Sequence, residues 1–253
     1  MYPKKELAQI LISACHQFKI ETVVISPGSR NAPLTIGFSN HSEIETFSIV
    51  DERCAAFYAL GIAQQTQKPV AILCTSGSAL LNYYPAIAEA FYSNIPLVVL
   101  SADRPKHLID IGDGQTIRQE NVFENHILFS ANLIENPKFK TRNSQLIGEA
   151  LQIATSNKGP VHINIPFDEP LYETVSVLED FHFPRISMSS LDNSHVDYSF
   201  FADIWNSAKK KIILVGVNFP DKKINELIHF YAEDSSVLIL TETTANLHHT
   251  NVV

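Results

Sequence analysis

The chain has 253 residues, 19 Lys and Arg against 27 Asp and Glu for a formal charge of -8, and 45% hydrophobic residues. That apolar content supports a sizeable core and excludes a disordered or fibrous class. The acidic balance, without a long Lys/Arg run, argues against nucleic acid or an anionic membrane as the main partner.

The N-terminus, Met1 to Leu7, enters an amphipathic helix rather than a signal peptide, and no apolar run reaches the length of a membrane span, so a soluble cytoplasmic protein is expected. Leu7, Ile10, Leu11, Ala14, Cys15 and Phe18 recur at helical spacing and predict a helix with one face on a core. Thr22 to Ser26 is a short β-branched strand ending in the turn Pro27-Gly28-Ser29-Arg30-Asn31, and Ala32-Pro33-Leu34 opens the next helix. A strand over Glu45 to Val50 leads into a helix that begins at Asp51-Glu52 and ends near Gln64-Gln65. Pro69 to Cys74 is a third strand, followed by Thr75-Ser76-Gly77-Ser78 and a helix whose Pro85 marks either a kink or the first turn of a new segment. Pro96 to Ser101 is the fourth strand, with Ala102-Asp103-Arg104-Pro105 as its turn.

Lys106 to Phe123 is polar and irregular. Thr141 to Asn157 then reads as an amphipathic helix, and Val161 to Ile165 as a fifth strand. Strands alternating with helices through short turns imply right-handed crossovers, hence an α/β fold: a doubly wound parallel sheet with helices on both faces. The expected organisation is a domain over residues 1–172, a linker over 173–196 that carries Pro184 and a Ser/Asp/Asn-rich stretch, and the start of a second α/β domain over 197–253. Because Leu238 to Thr243 reads as a strand plus a functional loop shortly before Val253, a fragment of a longer protein is expected. Cys15, Cys54 and Cys74 lie far apart without metal-ligand spacing, each in or beside an apolar run, and read as buried free thiols in a reducing compartment.

The chemistry concentrates in the four turns Ser26 to Asn31, Asp51 to Arg53, Thr75 to Ser78 and Ala102 to Pro105. In a doubly wound sheet these emerge along one edge and line a common cleft. Asp51 is a helix cap; Glu52 is either a complement to the helix dipole or a functional carboxyl, with Ile49, Val50, Ala55 and Ala56 expected to enclose it. Arg30 and Arg104 suit carboxylate ligands, or else structural ion pairs to Asp51, Asp103 or another acid, while Arg53 reads as structural. Gln115 and Arg118 reach the cleft or solvate a surface loop, and His248-His249 reads as a tail or interrupted loop rather than a metal site.

Several runs in series resemble the menaquinone-pathway 2-succinyl-5-enolpyruvyl-6-hydroxy-3-cyclohexene-1-carboxylate synthases (MenD) of the thiamine diphosphate enzymes. These are Ile25 to Leu34, Asp51-Glu52-Arg53 before an Ala/Gly-rich helix, Thr75 to Ala79 with Asn82, Ser101 to Pro105, Gln115 to Gln119 and Gly159 to Pro166. The resemblance spans residues 1–172 and implies a pyrimidine-binding domain followed by an incomplete middle domain. The C-terminal domain that holds the diphosphate and magnesium would be absent. It implies that Glu52 is the catalytic glutamate that hydrogen-bonds the aminopyrimidine ring and assists removal of the thiazolium proton, with Pro27 and Thr75 also at the cofactor. Ser29, Arg30, Arg104 and Gln115 would be substrate-binding, and Gly114 stands where some relatives carry Asn. The implied cofactors are thiamine diphosphate and magnesium, and the implied substrates 2-oxoglutarate, decarboxylated on the cofactor, and isochorismate, which receives the succinyl unit. The implied assembly is a homodimer or homotetramer with active sites shared between subunits. Such a fragment alone would be inactive.

Gly112-Asp113-Gly114 with Asn136 downstream has the outline of the magnesium-diphosphate signature of these enzymes, but it follows no clean buried strand and reads as coincidence, so no metal ligand is expected here. The alternatives are an acetolactate synthase-like 2-oxoacid enzyme, against which the arginine-bearing turns stand, and a non-catalytic α/β module.

Overall fold

A computed structural model of the protein describes residues 1–183 and 197–253. The Pro184 and Ser/Asp/Asn-rich part of the expected linker lies outside the described residues. The chain forms two compact units, Met1–Ser187 and Met188–Val253.

The first unit is built on six parallel strands: β2 (Thr22–Ile25), β3 (Glu45–Ser48), β4 (Val70–Cys74), β5 (Leu97–Asp103), β6 (Phe129–Asn132) and β7 (Val161–Pro166), in the order β3-β2-β4-β5-β7-β6. The central strands are continuous apolar runs because both sheet faces are covered. Ala71 and Leu73 join a core with Val98 and Leu100 against α1 (Glu6–Gln17), α2 (Ala32–Ser39) and α5 (Lys140–Asn157). Their alternates Val70, Ile72 and Cys74 face the opposite core, beneath α3 (Glu52–Thr66) and α4 (Tyr84–Tyr92). The doubly wound fold expected from the alternation is the one observed.

Sequence patterning missed β6, whose Phe-Ser-Ala-Asn has neither length nor alternation; it is an edge strand with only Ala131 buried. β5 runs two residues further than predicted, since Ala102 and Asp103 pair with Ile165 and Pro166 and thereby leave the expected turn. A 3-10 segment, Gly77–Tyr83, precedes α4, and Pro85 stands in the first turn of α4, where its missing N–H costs nothing, rather than at a kink. Cys54 corrects the reading of three buried thiols: Cys15 and Cys74 are buried, but Cys54 is exposed. It shares the outer face of α3 with Phe57 and Tyr58, each 44% exposed, three and four residues on.

Helix α1 is enclosed on more than the one face predicted, with every residue from Leu7 to Cys15 buried. The cover is residues 173–183, in the stretch read above as linker. They begin as β8 (Thr174–Val175), antiparallel to β1 (Tyr2–Pro3). They then run extended along α1, whose Gln9, Ser13 and Gln17 side chains accept the backbone N–H groups of Glu179, Phe181 and Phe183 at 3.1, 3.3 and 3.0 Å. Side chains four residues apart lie in a row on a helix, so this polar row satisfies every second N–H of the strap. Phe183 is 2% exposed and packs on Phe18.

The second unit comprises α6 (Ser199–Ser207), β9 (Lys211–Val215), α7 (Lys222–Ala232) and β10 (Val237–Thr241), with β9 and β10 parallel. Its core is small, centred on Ile228, Ala232 and Ile239, while Ile212, Leu214 and Leu238 stay exposed on the sheet. No helix among the described residues is long and apolar enough to cross a membrane.

Candidate functional site

The site lies along the carboxyl edge of the large sheet. Because β3, β2, β4 and β5 are neighbours in register, the turns that follow them are neighbours too. Gly28 is pressed so closely on the β4 turn that a Cβ there would lie 2.4 Å from Thr75 Cβ; only glycine fits. Gly77, at φ +86°, lies against the Gln115 backbone, which itself has φ +54°. The structure thus stacks the Pro27, Thr75 and Gln115 segments on one another. Pro27, Ser29 and Gln115 are exposed and Thr75 is buried.

Glu52 is the first residue of α3. Asp51 is the cap, its Oδ1 accepting the Cys54 N–H at 2.8 Å, and that bond holds its carboxyl below the usual range. The Glu52 side chain is half-buried, and no hydrogen bond or ion pair engages its carboxyl among the described residues. It lies near Tyr83 and Cys74: burial raises both groups well above their ordinary pKa ranges, and the Glu52 charge adds to each shift. Tyr83 donates to Ser26 Oγ at 3.3 Å. The expected apolar enclosure is only half present, since Ala55 and Ala56 are buried but Val50, beyond the end of β3, is 80% exposed. Arg53 is exposed and its guanidinium makes no ion pair among the described residues, while its charge helps to lower the pKa of the Asp51 carboxyl.

Arg30 is 5% exposed. Its Nη1 donates to the Phe167 carbonyl at 2.8 Å and its Nη2 lies 3.2 Å from Glu169 Oε1, while Nε is buried without a partner. Burial, reinforced by the nearby charge of Arg104, lowers its pKa. Arg104 Nε faces Asp113 Oδ2 at 3.6 Å, too long for a hydrogen bond, and both atoms lack partners. Asp113 of the Gly-Asp-Gly run is therefore a countercharge for Arg104. Arg118, at the surface, pairs with Asp110 at 2.9 Å.

Beside these turns the structure also carries a separate groove. A groove of about 1260 Å³ is lined by Arg104, Lys106, Arg118, Gln119, Arg142 and Asn164 among others, but not by Ser29, Arg30, Glu52, Thr75 or Gln115. The groove runs from the residues that follow β5, Pro105 to His107, to Asn132 at the end of β6.

Beneath these turns is a buried polar network that sequence reasoning missed. Gln119, 1% exposed, accepts the Gly77 N–H through Oε1 at 2.8 Å. Its Nε2 donates to the Ala102 carbonyl at 3.1 Å and to Asn164 Oδ1 at 2.9 Å. Asn164 donates to Asp103 Oδ2 at 2.8 Å, and Asp103 Oδ1 accepts the Arg104 N–H at 2.7 Å. Ser101 donates to Asn164 Oδ1 at 2.8 Å, which leaves its oxygen to accept from His162 Nε2 at 2.7 Å. Burial pushes His162 down to about 3, so the ring is neutral with Nδ1 unpartnered. Burial also raises the Asp103 carboxyl. The available signal was in β7: His162 and Asn164 alternate with Val161, Ile163 and Ile165 in a strand buried on both faces, so two polar side chains there require partners.

Residues 5–128 match the thiamine pyrophosphate enzyme family, N-terminal TPP binding domain. The 2-succinyl-5-enolpyruvyl-6-hydroxy-3-cyclohexene-1-carboxylate synthase of Flavobacterium psychrophilum is 56% identical over 259 residues, covering 100% of this chain and 46% of the relative. That of Flavobacterium johnsoniae is 54% identical over 257 residues with the same coverage. That of Christiangramia forsetii is 53% identical over 266 residues, covering 98% of this chain and 46% of the relative. The chain spans about half the length of the curated relatives it matches. In sequence the chain corresponds to the N-terminal portion of a 2-succinyl-5-enolpyruvyl-6-hydroxy-3-cyclohexene-1-carboxylate synthase-like protein, with the N-terminal TPP binding domain of the thiamine pyrophosphate enzymes over residues 5–128.

Proposed function

We propose that this chain supplies the pyrimidine half of the active site in a synthase that decarboxylates 2-oxoglutarate and transfers the succinyl unit to isochorismate, as a step of menaquinone biosynthesis. Residues 1–172 are the pyrimidine-binding domain in this reading, and 197–253 begin a middle domain. When bound, thiamine diphosphate with magnesium would supply the electron sink that such a decarboxylation needs.

The observation that carries the reading is Glu52: a half-buried carboxyl at a strand-to-helix turn, unpaired among the described residues, beside Tyr83 and Cys74. Its environment fits a ring nitrogen as partner, because the carboxyl has free acceptor capacity, and exclusion of water by a bound ring would favour sharing a proton. Glu52 would hold and pass that proton. The Gly28–Thr75 contact keeps the Pro27 and Thr75 turns rigid beside it, a surface suited to a flat ring. Arg30 and Arg104 would receive substrate carboxylates, Arg30 through its unpartnered Nε and Arg104 once a ligand competes with Asp113. Ser29 and Gln115, both exposed, would add hydrogen bonds. The open outer face of α3, with Phe57 and Tyr58, supports assembly with a second subunit that completes the site.

The test is the enzyme expressed from its complete reading frame and supplied with thiamine diphosphate and magnesium. Turnover is expected with 2-oxoglutarate and isochorismate. Turnover with pyruvate but not with that pair would replace this reading with an acetolactate synthase-like one.

A further inference from the structure

We propose that Gln119 is a positioning residue, the tie that holds the Gln115 segment on the Thr75–Ser78 turn. The inference rests on the reading of Gln115 as a substrate-binding residue. Gln115 is exposed and carries its side chain from a left-handed backbone at φ +54°. What locates it is its contact with Gly77: a Cβ on Gly77 would lie 3.0 Å from the Gln115 carbonyl oxygen, so the two backbones touch. Contact alone does not hold a loop in place. Gln119, four residues on, fastens it, because its Oε1 accepts the Gly77 N–H at 2.8 Å from within a fully buried setting.

The Gln119 amide cannot swing free of that bond. Its nitrogen is held by the Ala102 carbonyl and by Asn164 Oδ1, acceptors that belong to β5 and β7. Both ends of the amide are thereby engaged, and its orientation follows from the sheet. The loop that carries Gln115 is thereby referenced to two central strands rather than to its own exposed surface. Asn164 extends the same network to Asp103 and the Arg104 N–H, so one buried system underlies both candidate substrate side chains. A group that orients others without touching substrate acts through geometry, and small displacements of reacting partners are costly.

The experiment compares wild type with Gln119→Met, Gln115→Ala and the double variant in the enzyme expressed from its complete reading frame, reading both steady-state kinetics and amide hydrogen exchange. Gln119→Met keeps the side-chain length and removes both hydrogen-bonding functions. The expected result is faster exchange across residues 75–78 and 113–117, with kcat/KM falling about 10- to 100-fold through KM more than kcat. The double variant should be no worse than Gln115→Ala alone, as for groups that act through one another. Unchanged exchange at Gly77, or fully additive losses, would overturn the inference. Wild-type kinetics in Gln115→Ala would instead overturn the substrate reading of Gln115, with the exchange result still reporting on the tie. Asn164→Ala leaves the Gln119 oxygen in place and removes one of the two acceptors of its nitrogen, so it should speed exchange at Gly77, by less than Gln119→Met does. Unchanged exchange at Gly77 in Asn164→Ala would count against the tie, and this variant carries the test if Gln119→Met does not fold.

Discussion

Glu52 and Gln119 sit at the same edge of one sheet and differ in how their side chains are paired. The Glu52 carboxyl has no hydrogen-bond partner among the described residues, whereas the Gln119 amide spends its oxygen on Gly77 and its nitrogen on Ala102 and Asn164. A buried polar group that is fully paired fixes geometry and has nothing left for a ligand. One that is left unpaired at a turn retains the capacity to bind, at the expense of a locally less stable fold. The contrast separates groups suited to chemistry from groups suited to holding others in place, and Arg30 lies between them, anchored on Phe167 and Glu169 with Nε free.

The largest effect that tests this division is at Glu52. Glu52→Gln in the complete enzyme should leave the fold intact and lower kcat by about 10²- to 10⁴-fold, the range for loss of a positioned acid-base group. A rate equal to wild type would remove Glu52 from the open class. Next comes the strap that covers α1. Phe183→Ala should cost about 3 kcal/mol of stability in urea unfolding, since a fully buried ring is removed from its packing on Phe18. Val177→Ala, at a side chain 70% exposed, is the control and should shift stability by less than about 0.5 kcal/mol. Similar values for the two would mean that the strap is not part of this core.

How much of this was legible in the sequence follows from the same division. Strands with both faces covered are continuous apolar runs, so β2, β4 and most of β5 could be read directly, and β7 from its β-branched Val161, Ile163 and Ile165; β6 could not, because an edge strand with one buried residue lacks that signature. The turns that bear Arg30, Glu52, Thr75 and Arg104 were legible because polar residues directly after apolar strands stand out, and the serial motifs placed them in a family. Gln119 was not legible: in a polar irregular segment nothing local distinguishes a glutamine buried by tertiary packing from one that solvates a loop. Nor does the sequence mark Gln9, Ser13 and Gln17 as partners of a strap, since the groups they hold lie more than 160 residues away. The enclosure expected for Glu52 failed at Val50 because β3 is itself an edge strand that ends at Ser48 and leaves the following residues to solvent.

The closed network also has a pH signature. His162 is neutral and held down to about 3 by burial, against an ordinary value of 6.5. Between those values the unfolded chain binds a proton that the folded one refuses, so stability falls as pH falls from about 6.5 toward 3, by up to about 1.4 kcal/mol per unit. Asp103 acts in the opposite sense, since a carboxyl raised by burial binds its proton more readily when folded and offsets part of this loss above its ordinary 3.8. Urea unfolding between pH 7 and about pH 4.5, above most carboxylate titration, should show the decline, and His162→Gln should flatten it. An identical slope in the variant would mean that His162 is not the group responsible.

The smallest effect decides where Arg30 belongs. Glu169 is 64% exposed in its side chain, so its ion pair with Arg30 is screened, and Glu169→Gln should shift stability by less than about 1 kcal/mol. Arg30 would keep its bond to the Phe167 carbonyl and lose its main competitor for an incoming carboxylate. If Arg30 belongs with the open groups, Glu169→Gln lowers KM for the carboxylate substrate that Arg30 contacts, while Arg30→Lys raises it, because a lysine cannot offer two parallel N–H donors. If Arg30 belongs with the closed groups, the same two variants change the unfolding midpoint and leave KM where it was. The sign of the KM change in Glu169→Gln therefore assigns the residue more sharply than its size, since loss of a purely structural pair has no route to tighter substrate binding.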